Sequence, residues 1–521
     1  MTSTTGARSR TSPADGPPER EGPEQRVRGE GRSEEGRDEI SADVLIVGAG
    51  PTGLALALDL TRRGVRCLVA EREERLFPGS RGKGIQPRTQ EILYDFGVLP
   101  AIHASGSLYP PMRLWEAGRP VKTWQMVELS QDSEQVPHAN AWLIPQARTQ
   151  EVLFRRLKEL GGRVHFGRAV TILAQDDSGV TARLGDGRTV RASYAVAADG
   201  GRSSVRQGLG IGMTGETVDP RPLLVADVEL APEAPLDRDH WHVWQGEDGG
   251  GMSMCPLPGP GNVFQILVQY PEVDSIPDAS AEGVLKLVDH RTHLSASAVD
   301  EVLWASEFRA KAALAERFRQ GRIFLAGDAA HVHSPAGGQG LNTSIQDVYN
   351  LGWKLAAVLR DGAPENLLDT YEEERLPIAA EMLGLSTRIH RTTVAKGGAT
   401  TVQRGPEVQQ LGLGYGDSSL SVETREHTGP GGVRVGDRAP DGRPGGNRLF
   451  DLFRGTHWSL LAIGTDVPLP ELDHRIVRTH RLPPYEAYGT GVFLVRPDGY
   501  VGWAGESAEG VKDYLEAVLT G

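Results

Sequence analysis

Residues 43–53 read Asp-Val-Leu-Ile-Val-Gly-Ala-Gly-Pro-Thr-Gly, an apolar run closed by a glycine pattern. Val44 to Val47 show no alternation, as expected of a parallel strand buried on both faces. Gly48, Gly50 and Gly53 follow in GxGxxG spacing, with Thr52 inside the pattern. Leu54 to Arg63 continues as a helix that stops at Gly64, and Val65 to Ala70 forms a second strand ending at Glu71. This is one βαβ unit of about 30 residues. Gly48 permits a tight turn, Gly50 lets the backbone approach a pyrophosphate, and Gly53 lets the helix pack closely. The pyrophosphate would sit on the helix N-terminus, where free N–H groups and the helix dipole favour negative charge. Glu71 stands where a carboxylate accepts hydrogen bonds from an adenosine ribose and repels the 2′-phosphate of a tightly held NADP.

Outward from this unit, a second motif selects the dinucleotide. Residues 321–331, Gly-Arg-Ile-Phe-Leu-Ala-Gly-Asp-Ala-Ala-His, put Asp328 at the end of another buried strand. Pro335 to Asn342 is glycine-rich and leads into a helix over about 341–359, with Leu341, Ile345, Val348, Leu355 and Leu359 in helical spacing. Asp328 is suited to a ribityl hydroxyl. The amides at Gly340, Leu341 and Asn342, with the dipole behind them, suit negative charge at the N1–C2=O edge of a reduced flavin. A nicotinamide dinucleotide has no ribityl chain to need such a site, so FAD is the expected cofactor, held non-covalently.

The rest of the chain supplies context. Strand-like runs at 162–174, 180–184 and 189–198 surround an Asp186-Gly187 turn. Residues 220–270 read as an antiparallel sheet inserted between dinucleotide-binding segments. On one of its strands Trp241 and Val243 share a face, and His242 and Trp244 share the other. Trp241 and Val243, with Met252 and Met254, are the candidate lining of an aromatic pocket, although packing roles explain them equally well. Residues 1–39, rich in charge, Pro and Gly, cannot bury enough surface to order and are expected to be a disordered tail. With 521 residues, 69 acids against 56 bases and a net charge of −13, nucleic acid and anionic membranes are poor partners. No apolar stretch is long enough to span a membrane. Two cysteines exclude a disulfide framework and point to a cytoplasmic protein. His331 and His333 have no visible partners for a metal, so none is expected.

Three motifs in order, VGAGPTGLALA at 47–57, VAADGGRSSVR at 196–206 and RIFLAGDAAHVHSPAGGQGLN at 322–342, make the chain resemble the FAD-dependent aromatic hydroxylases of the p-hydroxybenzoate hydroxylase type. The likeness is greatest to the bacterial branch acting on aromatic polyketides and phenols. SRGKGIQPRTQEIL at 80–93 and LIPQARTQEVL at 143–153 support it. The resemblance implies an α/β fold with a Rossmann-like FAD-binding domain (40–112, 146–214, 308–395). An antiparallel substrate domain (113–145, 215–307), a linker (396–432) and a thioredoxin-like domain (433–521) complete it. It places Arg81 near the pyrophosphate, Gln146 near the ribityl or phosphate region, and Pro335 on the flavin face. Asp199 and Gly200 are linked to FAD and to transient NAD(P)H binding. The implied chemistry is NAD(P)H- and O2-dependent insertion of one oxygen atom into an aromatic small molecule. Baeyer–Villiger oxidation, epoxidation, dehydrogenation and a mainly partner-binding role share every motif and stay open. The C-terminal domain lacks cysteine, which leaves it a packing or homodimerisation role.

Overall fold

The opening strand starts at Glu39 and runs to Val47, and its last four residues are buried. In the computed structural model, which describes residues 39–246, 250–395, 404–428 and 431–520, it lies inside an eight-stranded sheet. The expected tail therefore falls outside the described residues, apart from Glu39. Cys67–Ala70 pairs with one side of this strand and Thr189–Ala197 with the other, both in parallel. Ile323–Leu325 pairs in parallel with Thr189–Ala197. Registers align Val47 with Ala70 and Ala197, and Ala197 with Leu325, so four strands end level at one edge. The chain leaves the first strand toward one side and returns later on the other. That reversal opens a crevice at the carboxyl ends of the strands.

Helix α1 (Pro51–Arg62) starts with proline at its first turn, and Gly53 to Leu60 are buried. Helix α2 (Gln146–Glu159) covers the same core through Val152, Leu153 and Leu157. Helix α3 (Gly340–Ala356) is shorter than the sequence suggests, because a π turn over Ala357–Asp361 takes over its last residues. It is also buried on every side, where a one-sided apolar stripe was expected. Its polar residues are instead paired inside the protein. Helix α4 (Asp369–Ala395) packs beside it.

A second eight-stranded sheet runs in the order 331–332, 299–315, 213–230, 263–269, 251–256, 241–245, 112–116, 119–124. It is antiparallel except where Trp241–Gln245 lies parallel to Met112–Glu116. Boundaries at 214/215 and 307/308 fall inside two long paired strands, Met213–Leu230 and Val299–Ala315. One face carries Trp244, Met252 and Met254 beneath the helix Ala281–Arg291; the other carries Trp241, Val243 and Cys255.

The C-terminal unit is a mixed five-stranded sheet, with Trp458–Ile463 parallel to Val477–Leu482 and antiparallel to Gly491–Val495. This α/β layering fits the thioredoxin-like expectation. The stretch read as a linker is not free where it is described. Leu413, Tyr415 and Leu420 are buried, and the Gln410 amide donates to Gln339 Oε1 at 2.6 Å. Its glycines disguise a segment that fills a groove. Among the described residues no helix is long and apolar enough to cross a membrane.

Candidate active site

Level strand ends bring the fingerprint residues together. Gly48 has a φ of +104°, and a Cβ there would lie 2.5 Å from the carbonyl oxygen of Ala198. A Cβ on Gly53 would lie 2.0 Å from the Gly48 carbonyl oxygen. Both are required to be glycine by the protein's own main chain. Gly50 differs, since a Cβ there meets nothing within 4 Å and would project into the crevice. Thr52 Oγ1 lies against Gly327, 2.7 Å from where a Cβ would be. Helix α1 has no side-chain cap and no acid in its first turn, and neither does α3. Two helix N-termini thus offer free amides to one crevice.

Around them stand the expected polar groups. The Glu71 carboxylate accepts from the Ala49 amide at 2.6 Å and from the Glu73 amide at 2.9 Å, so it braces the glycine loop. Asp199 Oδ2 accepts from the Ser204 amide at 2.9 Å, while its buried Oδ1 has no hydrogen-bond partner. Asp328 is exposed to the crevice, in the 3₁₀ turn that follows Leu325. Surrounding protein raises its carboxyl above the usual range, against the pull of His331 and Arg81. The Gly82 amide donates to Gln146 Oε1 at 3.0 Å, and Leu341 Cδ1 is 3.4 Å from where a Gly82 Cβ would be. Arg81, Gln146 and Leu341 therefore share one corner. The Asn342 side chain is spent on bracing, accepting from the Gln86 amide at 2.8 Å and donating to the Gly84 and Gly338 carbonyls. Pro335 is exposed and opens a short 3₁₀ turn.

His331 is fully buried, its Nε2 2.6 Å from Asp347 Oδ2 and its Nδ1 2.9 Å from His333 Nε2. Arg375 Nε donates to the other Asp347 oxygen at 2.9 Å. Burial pushes Asp347 up, but His331 and Arg375 outweigh it and hold the carboxyl low. Burial and the neighbouring His331 lower His333 to about 3, which keeps it neutral. The pair is thus committed to Asp347, a partner in α3 that nothing in the local sequence signals. Among the described residues no group of three or more His, Cys, Asp or Glu side chains could hold a metal.

The four candidate pocket residues separate. Met254 pairs with His242 and Met252 with Trp244, which puts both methionines on the face opposite Trp241 and Val243. Met252 and Met254 are core residues under the helix Ala281–Arg291, not pocket lining alongside Trp241. The two candidate linings, Trp241 with Val243 and Met252 with Met254, therefore lie on opposite faces of the sheet. The face with Trp241 and Val243 also carries Lys83, Tyr109, Asp227, Gln265 and Arg404, none of which the sequence singled out.

A glycine turn and two uncapped helix N-termini, closing on an acid that suits a ribityl chain, define a dinucleotide-binding flavoprotein. The cradle at Gly50 and the spare oxygens of Asp199 and Asp328 fit FAD. Residues 41–386 match the family model described as "FAD binding domain", and residues 428–521 match "Aromatic-ring hydroxylase, C-terminal". The chain belongs to this family of FAD-dependent, NAD(P)H-consuming monooxygenases. It is 44% identical to a flavin-dependent monooxygenase of Mycobacteroides abscessus, over 91% of this chain and all of the relative. It is 33% identical to a rifampicin monooxygenase of Streptomyces venezuelae, over 90% of this chain and 96% of that one. A crystal structure of aklavinone-11 hydroxylase with FAD and aklavinone superposes with a TM-score of 0.76 at 30% identity, covering 92% of this chain and 99% of that one.

Proposed function

We propose that the enzyme inserts one oxygen atom into a polycyclic aromatic or phenolic compound of polyketide type. The observation that carries this is the buried apolar cluster of Trp241, Val243 and Leu114 on one face of the second sheet. It adjoins Lys83, the residue after Gly82, whose neighbours are Gln146 and the α3 N-terminus. Such a floor suits a broad flat ring system. The names of the relatives, with rifampicin and aklavinone as their compounds, point the same way.

When bound, FAD supplies hydride acceptance from NAD(P)H and the activation of O2. The chain's share is positioning. The α1 N-terminus and Gly50 receive the pyrophosphate, Glu71 the adenosine ribose, and Asp328 the ribityl chain, with Arg81 and Gln146 alongside. Amides at Gly340, Leu341 and Asn342 would stabilise negative charge on the reduced flavin, and Pro335 would line its site. NAD(P)H binds transiently beside Asp199, Gly200 and Arg202, since no second glycine fingerprint remains for it. Trp241 and Val243 exclude water from the reacting face. A product heavier by one oxygen atom, formed in air from a polycyclic phenol with NAD(P)H, is the expected result. Loss of two hydrogens, or NAD(P)H oxidation that leaves every phenol unchanged, would remove this reading.

A further inference from the structure

Between Gly337 and Gly340 the loop ahead of α3 has a single side chain, that of Gln339, and it is fully buried. It turns to a segment far along the chain. Gln339 Nε2 donates to the Gly337 carbonyl at 2.8 Å and to the Val408 carbonyl at 3.3 Å, while its Oε1 accepts from Gln410 Nε2 at 2.6 Å. The same Gln410 nitrogen donates to Thr343 Oγ1 at 3.2 Å, and Gln410 Oε1 accepts from Gln346 Nε2 at 2.6 Å. Thr343 and Gln346 belong to α3. Every amide hydrogen of Gln410 and Gln339 thus has an acceptor, which fixes both amide orientations. Residues 404–415 form a strap behind the loop, pinned elsewhere as well. The Arg404 amide donates to the Met126 carbonyl at 3.0 Å, Gln409 Nε2 to the Ala139 carbonyl at 3.0 Å, and Arg375 Nη1 to the Tyr415 hydroxyl at 3.0 Å.

The backbone marks Gln410 out. It is buried and has a φ of +62°, in the left-handed region that suits glycine. A larger residue stays there only where its surroundings over-determine it. What over-determines Gln410 is an amide bonded both to Gln339 and to the first turns of α3. That helix begins with no side-chain cap, so the direction of its first free amides is left to flexible glycines unless something braces them. The Gln339 carbonyl accepts from the Thr343 amide at 2.9 Å and from the Thr343 hydroxyl at 3.1 Å. A shift of Gln339 is therefore a shift of the opening turn of α3.

We infer that Gln410, acting through Gln339, is a positioning residue that aims the α3 amides and thereby sets the reduction potential of the bound flavin. Reduction leaves negative charge on the flavin, so amides held in place before electrons arrive favour the reduced over the oxidised form and raise the potential. Amides free to swing would have to be oriented by the charge itself and would favour it less. This rests on the cofactor placement proposed above, in which the α3 N-terminus faces the flavin.

The test measures the potential of FAD in the holoenzyme by anaerobic equilibration with a reference dye. Gln410→Gly removes the amide and relaxes the backbone, and should weaken the preference for reduced FAD about tenfold, a fall of about 30 mV. Gln339→Ala should give a similar fall, and the double variant no more than either alone, because both act through one contact. Gln409→Ala loosens the same strap at Ala139 and should leave the potential unchanged even if the melting temperature drops. Should Gln410→Gly fail to retain FAD, Gln410→Asn, which tolerates the left-handed backbone but is one methylene too short, replaces it with the same expectation. An unchanged potential at position 410, additive falls in the double variant, or an equal fall in Gln409→Ala would each overturn the inference. Leu341→Pro deletes one α3 amide directly, in a first turn where proline is tolerated, and should also lower the potential. No change there would remove the placement of α3 against the flavin and the inference with it, whereas a fall there with none in Gln410→Gly would overturn the strap alone.

Discussion

The crevice at the strand ends and the joint between α3, α4 and the C-terminal unit are both rich in polar groups, and they use them in opposite ways. In the joint every charge is spoken for. Glu374 takes Lys354 Nζ at 2.7 Å and Arg496 at 2.5 Å, and Arg496 reaches Asp498 at 2.6 Å. The Trp353 indole donates to Asp498 and the Ser418 hydroxyl to Glu374, closing the network. In the crevice, Asp328 faces solvent and Asp199 keeps a spare oxygen. Polarity saturated within the chain holds parts together, whereas polarity left with free valence is available to a ligand.

The comparison breaks most easily at Glu374. Glu374→Gln leaves buried Lys354 without a counter-charge and Arg496 with Asp498 alone, and should cost about 3–5 kcal/mol, read as a lower melting temperature. FAD affinity of the folded fraction should be unchanged, and a stability loss under 1 kcal/mol, roughly that of a surface pair, would show the joint to be ordinary. Burial raises the Glu374 carboxyl, but Arg496 and Lys354 outweigh it and hold it far below its ordinary value of 4.5. Lys354, lowered by burial to about 8, stays protonated at neutral pH. Because the folded pKa of Glu374 is depressed, its contribution is present above pH 4.5 and lost as pH falls below that. The acid limb of the stability profile should therefore flatten in Glu374→Gln.

A second contrast lies inside the glycine fingerprint. Gly48→Ala forces a Cβ onto a main-chain oxygen at positive φ and should cost about 1–3 kcal/mol of stability. Gly50→Ala should leave stability within about 0.5 kcal/mol and weaken FAD about tenfold, by fluorescence titration. Equal effects of the two would end the distinction between a structural and a ligand-facing glycine. Asp328→Ala should likewise weaken FAD by about 1–3 kcal/mol with little change in melting temperature. The smallest effect belongs to the two faces of the second sheet. Met252→Leu should cost under about 1.5 kcal/mol and leave KM for a turned-over phenol untouched, whereas Trp241→Leu should raise KM. A KM effect from Met252 would rejoin the faces that the strand register separates.

What local chain chemistry settles was legible before folding. An unbroken Val44–Val47 run demands burial on both faces, and Gly53 must lack a side chain because the Gly48 carbonyl of its own turn lies 2.0 Å from where a Cβ would be. The order of strand, turn and helix, and with it the FAD crevice, follows from such near-neighbour constraints. Tertiary structure alone decided the rest, because it depends on which groups lose water together. Lys83 meets Gln265 across 182 positions, and Arg404 reaches the pocket from a glycine- and threonine-rich stretch that resembles a linker. The polar side of α3 reads as a solvated face until α4 and the C-terminal unit bury it and supply its counter-charges. Desolvation is a property of the packed whole, so the sequence could announce the cofactor but not which charges are buried together beside it.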